Sequence, residues 1–217
     1  MKKIFTLLLL VIPALVSYGK EWSFELNPAQ IKMCSSNKLE HPSYFIDSCK
    51  TKNMVNLSFF NSRTYIGPYK DRRVSSYDSP KNWPFFVIEN GEAYIHDGKS
   101  WGQNFNLKMF GITCATDYMV SGYPILIQDS KKTKIYKSFF SKRKCPRTAI
   151  GIHPNGSVII YVTTGATIRD LQDYFISIGC TDAINFDGGS STFLYLNGKK
   201  VFSSNHGKSY PNVLYWE

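Results

Sequence analysis

The stretch from Arg147 to Phe202 constrains the fold more than any other part of the chain. Arg147 to Ile152 reads as a strand, His153-Pro154-Asn155-Gly156 as a turn, and Val158 to Val162 as a strand apolar on both faces. Thr167 then caps a helix, with Asp170 placed three residues on to complete a capping-box-like pair. Ile168, Leu171, Phe175 and Ile178 fall on one face of that helix, and Gly179 ends it. Asp182 to Phe186 is the next strand. Phe193 to Leu196 and Lys199 to Phe202 form a hairpin around Asn197-Gly198, since Asn-Gly supplies the positive φ angles of a tight turn. A strand–helix–strand passage predicts a crossover unit. The expected class is therefore α+β, a mixed β-sheet with that crossover in the C-terminal third.

Upstream the pattern is weaker. Residues 21–52 mix helix and loop signals and read as irregular. Met54 to Phe60 reads as a strand running into a loop, and Arg63 to Trp83, with Gly67-Pro68 and Asp78-Ser79-Pro80, as a long loop of the kind that often carries function. Phe85 to Glu89 and Ala93 to His96 flank Asn90-Gly91 as a second hairpin, and Tyr123 to Gln128 is a further strand. The lysine-rich run from Lys131 to Lys144 reads as a solvated surface hairpin in preference to a polyanion-binding loop.

The N-terminus bears on compartment. Met1-Lys2-Lys3 precedes an apolar run from Ile4 to Val16, and Ser17-Tyr18-Gly19 offers a cleavage site before Lys20. Cationic, apolar and then small residues is the order of a secretory leader. The expected division is a leader over 1–19, a segment of unassigned role over 20–53, and one principal domain over 54–217. Export permits disulfides, and Cys34 with Cys49 is the easiest local pair among the five cysteines. No C-x-x-C and no His-Cys cluster with zinc spacing occurs, so neither a metal nor a cofactor is expected. The net charge of +10 favours anionic partners. Nucleic acid is not expected of an exported chain without a recognisable nucleic-acid motif.

The sharpest chemical feature is Asp187-Gly188-Gly189-Ser190-Ser191-Thr192, at the end of a strand. Glycines let a ligand approach the main chain, and successive N–H groups with the hydroxyls of Ser190 and Ser191 can cradle an anion. Asn185 and Asp187 lie two apart and can reach the same side of the sheet. A tight turn capped by its own aspartate is an equal reading of these residues alone. Arg147 could hold phosphate oxygens in a bidentate fork. His206 and His153 read as loop residues. Ser191 with His206 lacks the Gly-x-Ser-x-Gly elbow of a serine hydrolase.

Two blocks in register carry a resemblance. Pro146-Arg147-Thr148-Ala149-Ile150-Gly151 followed by Asn155-Gly156, and Ile178 to Thr192 with Asn185-Phe186-Asp187-Gly188-Gly189-Ser190-Ser191 at its heart, resemble the phosphodiester glycosidase family. Val55 to Phe60, Ser121 to Ile127 and Lys208 to Leu214 are similar to weaker blocks of the same family. Leu57 and Ser190 stand where glycine is usual, and Lys208 where arginine is common. The resemblance implies hydrolysis of a sugar–phosphodiester bond in a phosphorylated or anionic carbohydrate, an envelope or extracellular glycan. It implies Asp187, Arg147 and Asn185 as catalytic residues. Asn56, Thr148, Gly188, Gly189, Ser190, Ser191, Lys208 and Asn212 would bind substrate. Glycosidases commonly use paired carboxylates, and Asp182 and Asp78 are the candidates for a partner. A non-catalytic module binding anionic glycans is the alternative.

Overall fold

In the computed structural model, residues 19–61, 66, 67, 69–71, 75, 76, 83–98, 116–136 and 138–217 are described. The strands are β1 (Glu21–Leu26), β2 (Ile31–Glu40), β3 (Asn53–Asn56), β4 (Tyr69–Lys70), β5 (Ser75–Ser76), β6 (Phe85–Glu89), β7 (Glu92–His96) and β8 (Thr116–Ser121). They continue with β9 (Ile125–Gln128), β10 (Lys131–Lys132), β11 (Cys145–Ile152), β12 (Val158–Ala166), β13 (Asp182–Asn185), β14 (Phe193–Leu196), β15 (Lys199–Ser203) and β16 (Tyr210–Trp216). The helices are α1 (Pro42–Cys49), α2 (Phe139–Lys142) and α3 (Ile168–Ser177).

Three sheets share the chain, in the orders β1-β12-β11-β13-β9-β10, β15-β14-β3-β16-β2 and β5-β4-β8-β6-β7. Apolar residues of all three meet in one central core, among them Val55 and Leu214, Phe86 and Val120, and Ile150, Ile160 and Ile184. β12 is covered on both faces, as its unbroken apolar run predicts. Val158, Ile160 and Val162 face the central core, while Ile159 and Tyr161 face α3. α3 seats Ile168, Leu171 and Phe175 on the far side of the first sheet. Its capping box forms as expected, Thr167 Oγ1 accepting from Asp170 N at 3.2 Å and Asp170 Oδ2 from Thr167 N at 2.8 Å. Both Asn-Gly hairpins form, with positive φ at Asn90, Gly91, Asn197 and Gly198.

Two expectations need correction. Every ladder among the described residues is antiparallel, so the sheet is not mixed. β12 and β13 do not pair with each other, because β11 lies between them and bonds to both. The tight turn at His153–Gly156 folds β12 back on β11, and α3 then carries the chain past β11 to its other edge. Nor is the segment 21–52 irregular. Trp22, Phe24 and Leu26 alternate with Glu21, Ser23 and Glu25, so β1 lays one apolar face on the core and adds to the edge of β12. β2 pairs with β16, and α1 packs Phe45 behind it. The Cys34–Cys49 disulfide forms as expected, tying β2 to α1 across 15 residues. A loop of that size contributes about 3 kcal/mol by restricting the unfolded chain. The lysine-rich run is a hairpin only over β9 and β10, after which Ser138 caps the short α2. Among the described residues no helix is long and apolar enough to cross a membrane.

Candidate active site

β13 ends at Asn185, and the next residues leave the sheet between β3 and β11. Phe186 N donates to Thr148 O at 2.9 Å, and Asp187 N to Leu57 O at 3.2 Å. Asn56, 1% exposed, is the joint. Its Nδ2 donates to Asp187 O at 2.6 Å. Its Oδ1 accepts from Thr148 Oγ1 at 2.6 Å and from Phe193 N at 3.2 Å. One side chain thus binds β3, β11, the Asp187 turn and the start of β14 together.

Gly189 to Ser191 make a single 3-10 turn, with Gly189 at φ +60°. A Cβ on Gly188 would stand 2.9 Å from Pro146 O and 3.4 Å from Arg147 Cδ, so only glycine lets the turn settle on β11. The half-buried Asp187 side chain folds back on this turn. Its Oδ1 accepts from Gly188 N at 2.9 Å, and Ser191 also hydrogen-bonds it. Lys208 Nζ closes the group from the far side, donating to Ser191 Oγ at 2.6 Å and Ser190 Oγ at 3.3 Å. It stands 5.1 Å over the ring of Phe60. Burial pushes the Asp187 carboxyl above the usual aspartate range, against the pull of Ser191, Lys208, the Gly188 N–H and Arg147.

The expected residues divide into two groups in space. Asp187, Gly188, Gly189, Ser190, Ser191 and Lys208 form one contiguous polar cluster, of which Ser190 is exposed. The others lie beneath or beside it, with most of their polar groups engaged. Arg147 is 1% exposed. It donates from Nε to Ala166 O at 3.3 Å and from Nη2 to Phe140 O at 2.9 Å and Arg143 O at 3.0 Å. Burial weighs against its charge, as does Arg143, while Cys145 and Asp187 favour it. Asn185 is fully buried and gives Nδ2 to Tyr123 O at 2.7 Å and Phe186 O at 2.8 Å. Its Oδ1 has no partner among the described residues. Asn212 is paired with Ser58, accepting from its N at 3.1 Å and donating to its Oγ at 2.7 Å. Asp182 accepts at long range from Asp129 N on the far edge, and Asp78 lies outside the described residues.

Sequence reasoning passed over Tyr210. Its hydroxyl is buried with no hydrogen-bond partner among the described residues. Burial and then the field of Asp187 hold its proton on. The position inside Lys208 to Leu214 was the only signal, and a tyrosine in an apolar strand is otherwise indistinguishable from core. Thr192 Oγ1, at the end of the Asp187 turn, is likewise without a hydrogen-bond partner among the described residues. Among the described residues no three of His, Cys, Asp and Glu converge as metal ligands.

A family model described as phosphodiester glycosidase matches residues 50–216. The chain belongs to the phosphodiester glycosidase family. The matched span takes in the whole Asp187 cluster but not β1, β2 or α1, so these phosphodiester glycosidase residues sit in a frame completed from outside the match. Among curated proteins, none matches the sequence. Solved structures share the fold at low identity. The zebrafish N-acetylglucosamine-1-phosphodiester alpha-N-acetylglucosaminidase catalytic domain, auto-inhibited by its pro-peptide, has a TM-score of 0.69 at 14% identity, over 91% of this chain and 82% of that one. A hypothetical protein from Synechocystis gives 0.62 at 13%, over 90% of this chain and 58% of that one. A Burkholderia pseudomallei protein provisionally designated as exported gives 0.57 at 12%, over 89% and 73%.

Proposed function

We propose that the chain hydrolyses glycosyl phosphodiesters, splitting the bond between a sugar anomeric carbon and a phosphate oxygen. Water supplies a hydroxyl to the sugar carbon, and its other proton goes to the solvent or to the phosphomonoester that departs with the bonding electrons. The observation that carries this reading is the Asp187 carboxyl held within one turn of Ser191 and Lys208.

Asp187 is the acid–base group in this scheme. A carboxyl whose affinity for protons is raised by burial is better suited to take a proton from water and return it than an ordinary aspartate. Lys208, with Ser190 and Ser191, offsets the charge that gathers on the departing phosphate oxygen. Gly188 and Gly189 leave main-chain room for sugar or phosphate oxygens. Arg147 acts from below, its positive charge favouring the ionised Asp187 while its hydrogen bonds hold α2 at Phe140 and the residue after it, Arg143. Asn56, Thr148 and Asn212 fix the frame of the cluster, and Asn185 holds the Tyr123 turn beside it. The Cys34–Cys49 disulfide and the leader-like N-terminus support work outside the cytoplasm on an envelope or extracellular glycan.

The test is turnover of a panel of sugar-1-phosphodiesters by the chain and by Asp187→Asn. Free sugar and a phosphomonoester are expected, with turnover falling at least about a hundredfold in the variant. Release of sugar-1-phosphate would mean P–O cleavage instead. Saturable binding of acidic glycans without any product would mean a binding module.

A further inference from the structure

The segment from Lys131 to Lys144 takes no part in the Asp187 cluster. It carries seven basic residues and no acidic one. Its aromatic rings are not folded into the core: Tyr136 is 75% exposed, Phe139 79% and Phe140 36%. The reciprocal bonds between Ser138 and Ser141 hold α2 so that Phe139 is turned outward. Arg143 stands 5.7 Å over the Phe139 ring and Arg147 4.7 Å over Phe140, so cations flank the rings on the protein side. Lys134 and Lys142 are both exposed and border hollows shared with Arg169. Lys132 is paired with Asp173.

We propose that this face docks on an anionic lipid surface. Phe139 and Tyr136 enter the boundary between headgroups and acyl chains, while Lys134, Lys142, Arg143 and Lys144 meet lipid phosphates. Stable peripheral binding takes two signals, an apolar insertion and a basic patch, and both are present within fourteen residues of chain. The composition selects lipid over sugar. A glycan site needs side chains that fix hydroxyl geometry, and this segment holds no Asp, Asn, Glu or Gln. Water gives an exposed phenylalanine nothing, whereas the acyl boundary takes up its whole ring. The charge of +10 on the full chain draws the face toward such a surface from a distance. Docking there places Arg147, and above it the Gly188 turn, close to the membrane.

The experiment is sedimentation of the full chain with vesicles of phosphatidylcholine alone and of equal parts phosphatidylcholine and phosphatidylglycerol. The apolar N-terminal run is common to all variants and contributes the same background to both. The expected result is a preference for the anionic vesicles that weakens as salt rises. Phe139→Ser is expected to lower that affinity about tenfold without shifting the thermal melt. Lys142→Gln and Arg143→Gln are expected to lower it about fivefold apiece. Lys199→Gln with Lys200→Gln removes from β15, in another sheet, the charge of those two variants combined and is expected to leave it unchanged. Equal loss from the β15 pair would reduce the effect to net charge and overturn the proposal. So would an unaltered Phe139→Ser. Binding to a soluble acidic polysaccharide with no preference for anionic vesicles would overturn it in favour of a glycan surface.

Discussion

Replacing Asn56 by alanine tests the joint beneath the candidate site most directly. The substitution strands three buried groups: the Phe193 N–H, the Asp187 carbonyl and the Thr148 hydroxyl. The hydroxyl can turn to another acceptor, but the two main-chain groups are fixed by the strands and the turn. A buried group left without a partner costs about 1–3 kcal/mol, so the two together predict about 2–6 kcal/mol. The assay is urea unfolding followed by tryptophan fluorescence. With a slope of about 2–3 kcal/mol per molar, the midpoint falls by roughly 0.7–3 M. Thr148→Val supplies the check. It removes one hydrogen bond yet leaves Phe193 N on Asn56 Oδ1, so alone it costs about 1 kcal/mol. In the Asn56→Ala background that hydroxyl has already lost its partner, so the same change is expected to cost nothing. A coupling of about 1 kcal/mol therefore separates the double variant from the sum of the singles. Strict additivity, or a midpoint shift for Asn56→Ala below about 0.3 M, would refute the joint.

Asp187→Asn carries a pH signature as well as a loss of turnover. Because burial raises the folded-state pKa of Asp187, its contribution to stability is full below the ordinary aspartate range and is lost as pH rises through the raised value. The asparagine variant therefore unfolds at a higher temperature than the parent near neutral pH, and the gain shrinks toward zero in acid. Gly151→Ala brings a Cβ to 2.5 Å from Phe175 Cδ1 and 2.7 Å from Cys180 Sγ, across the α3 interface. Overpacking of this kind costs about 1–3 kcal/mol, read as a lower urea midpoint with no direct contact to the Asp187 cluster. Reduction of Cys34–Cys49 is expected to remove about 3 kcal/mol, visible as a lower melting temperature under reductant.

Local signals survived into the structure wherever the main chain itself carried them. The Asn-Gly turns, the Thr167–Asp170 box and the doubly covered β12 all depend on residues within a few positions of each other. Strand neighbours did not, because a helix between two strands says nothing of a third strand folded between them, and β11 takes that place. β1 was legible in the alternation of Trp22, Phe24 and Leu26 but is too short to stand out without β12 beside it. At the site, the Asp187 turn was readable from its glycines. The double use of Asn56, by contrast, depends on Thr148 and Phe193, which lie 92 and 137 positions away. Tyr210 was hidden because burial without a hydrogen-bond partner is a property of surroundings rather than of sequence.

The placement of β16 has a consequence for how the chain is made. β2 and β3 are close in sequence, joined by α1 and the disulfide, yet in the sheet β16 lies between them, Ile31 and Asn53 both facing Trp216. Until residues 210–216 are synthesised those two strands hold an open slot with two unpaired edges. The slot is a template for any extended peptide, which makes the unfinished chain prone to aggregate. A chain ending before Tyr210 keeps that slot, and a separate peptide with the sequence Tyr210–Trp216 is the piece that fits it. Completion of this sheet therefore waits for residues 210–216, made long after β2 and β3: a late strand locks two early ones in place.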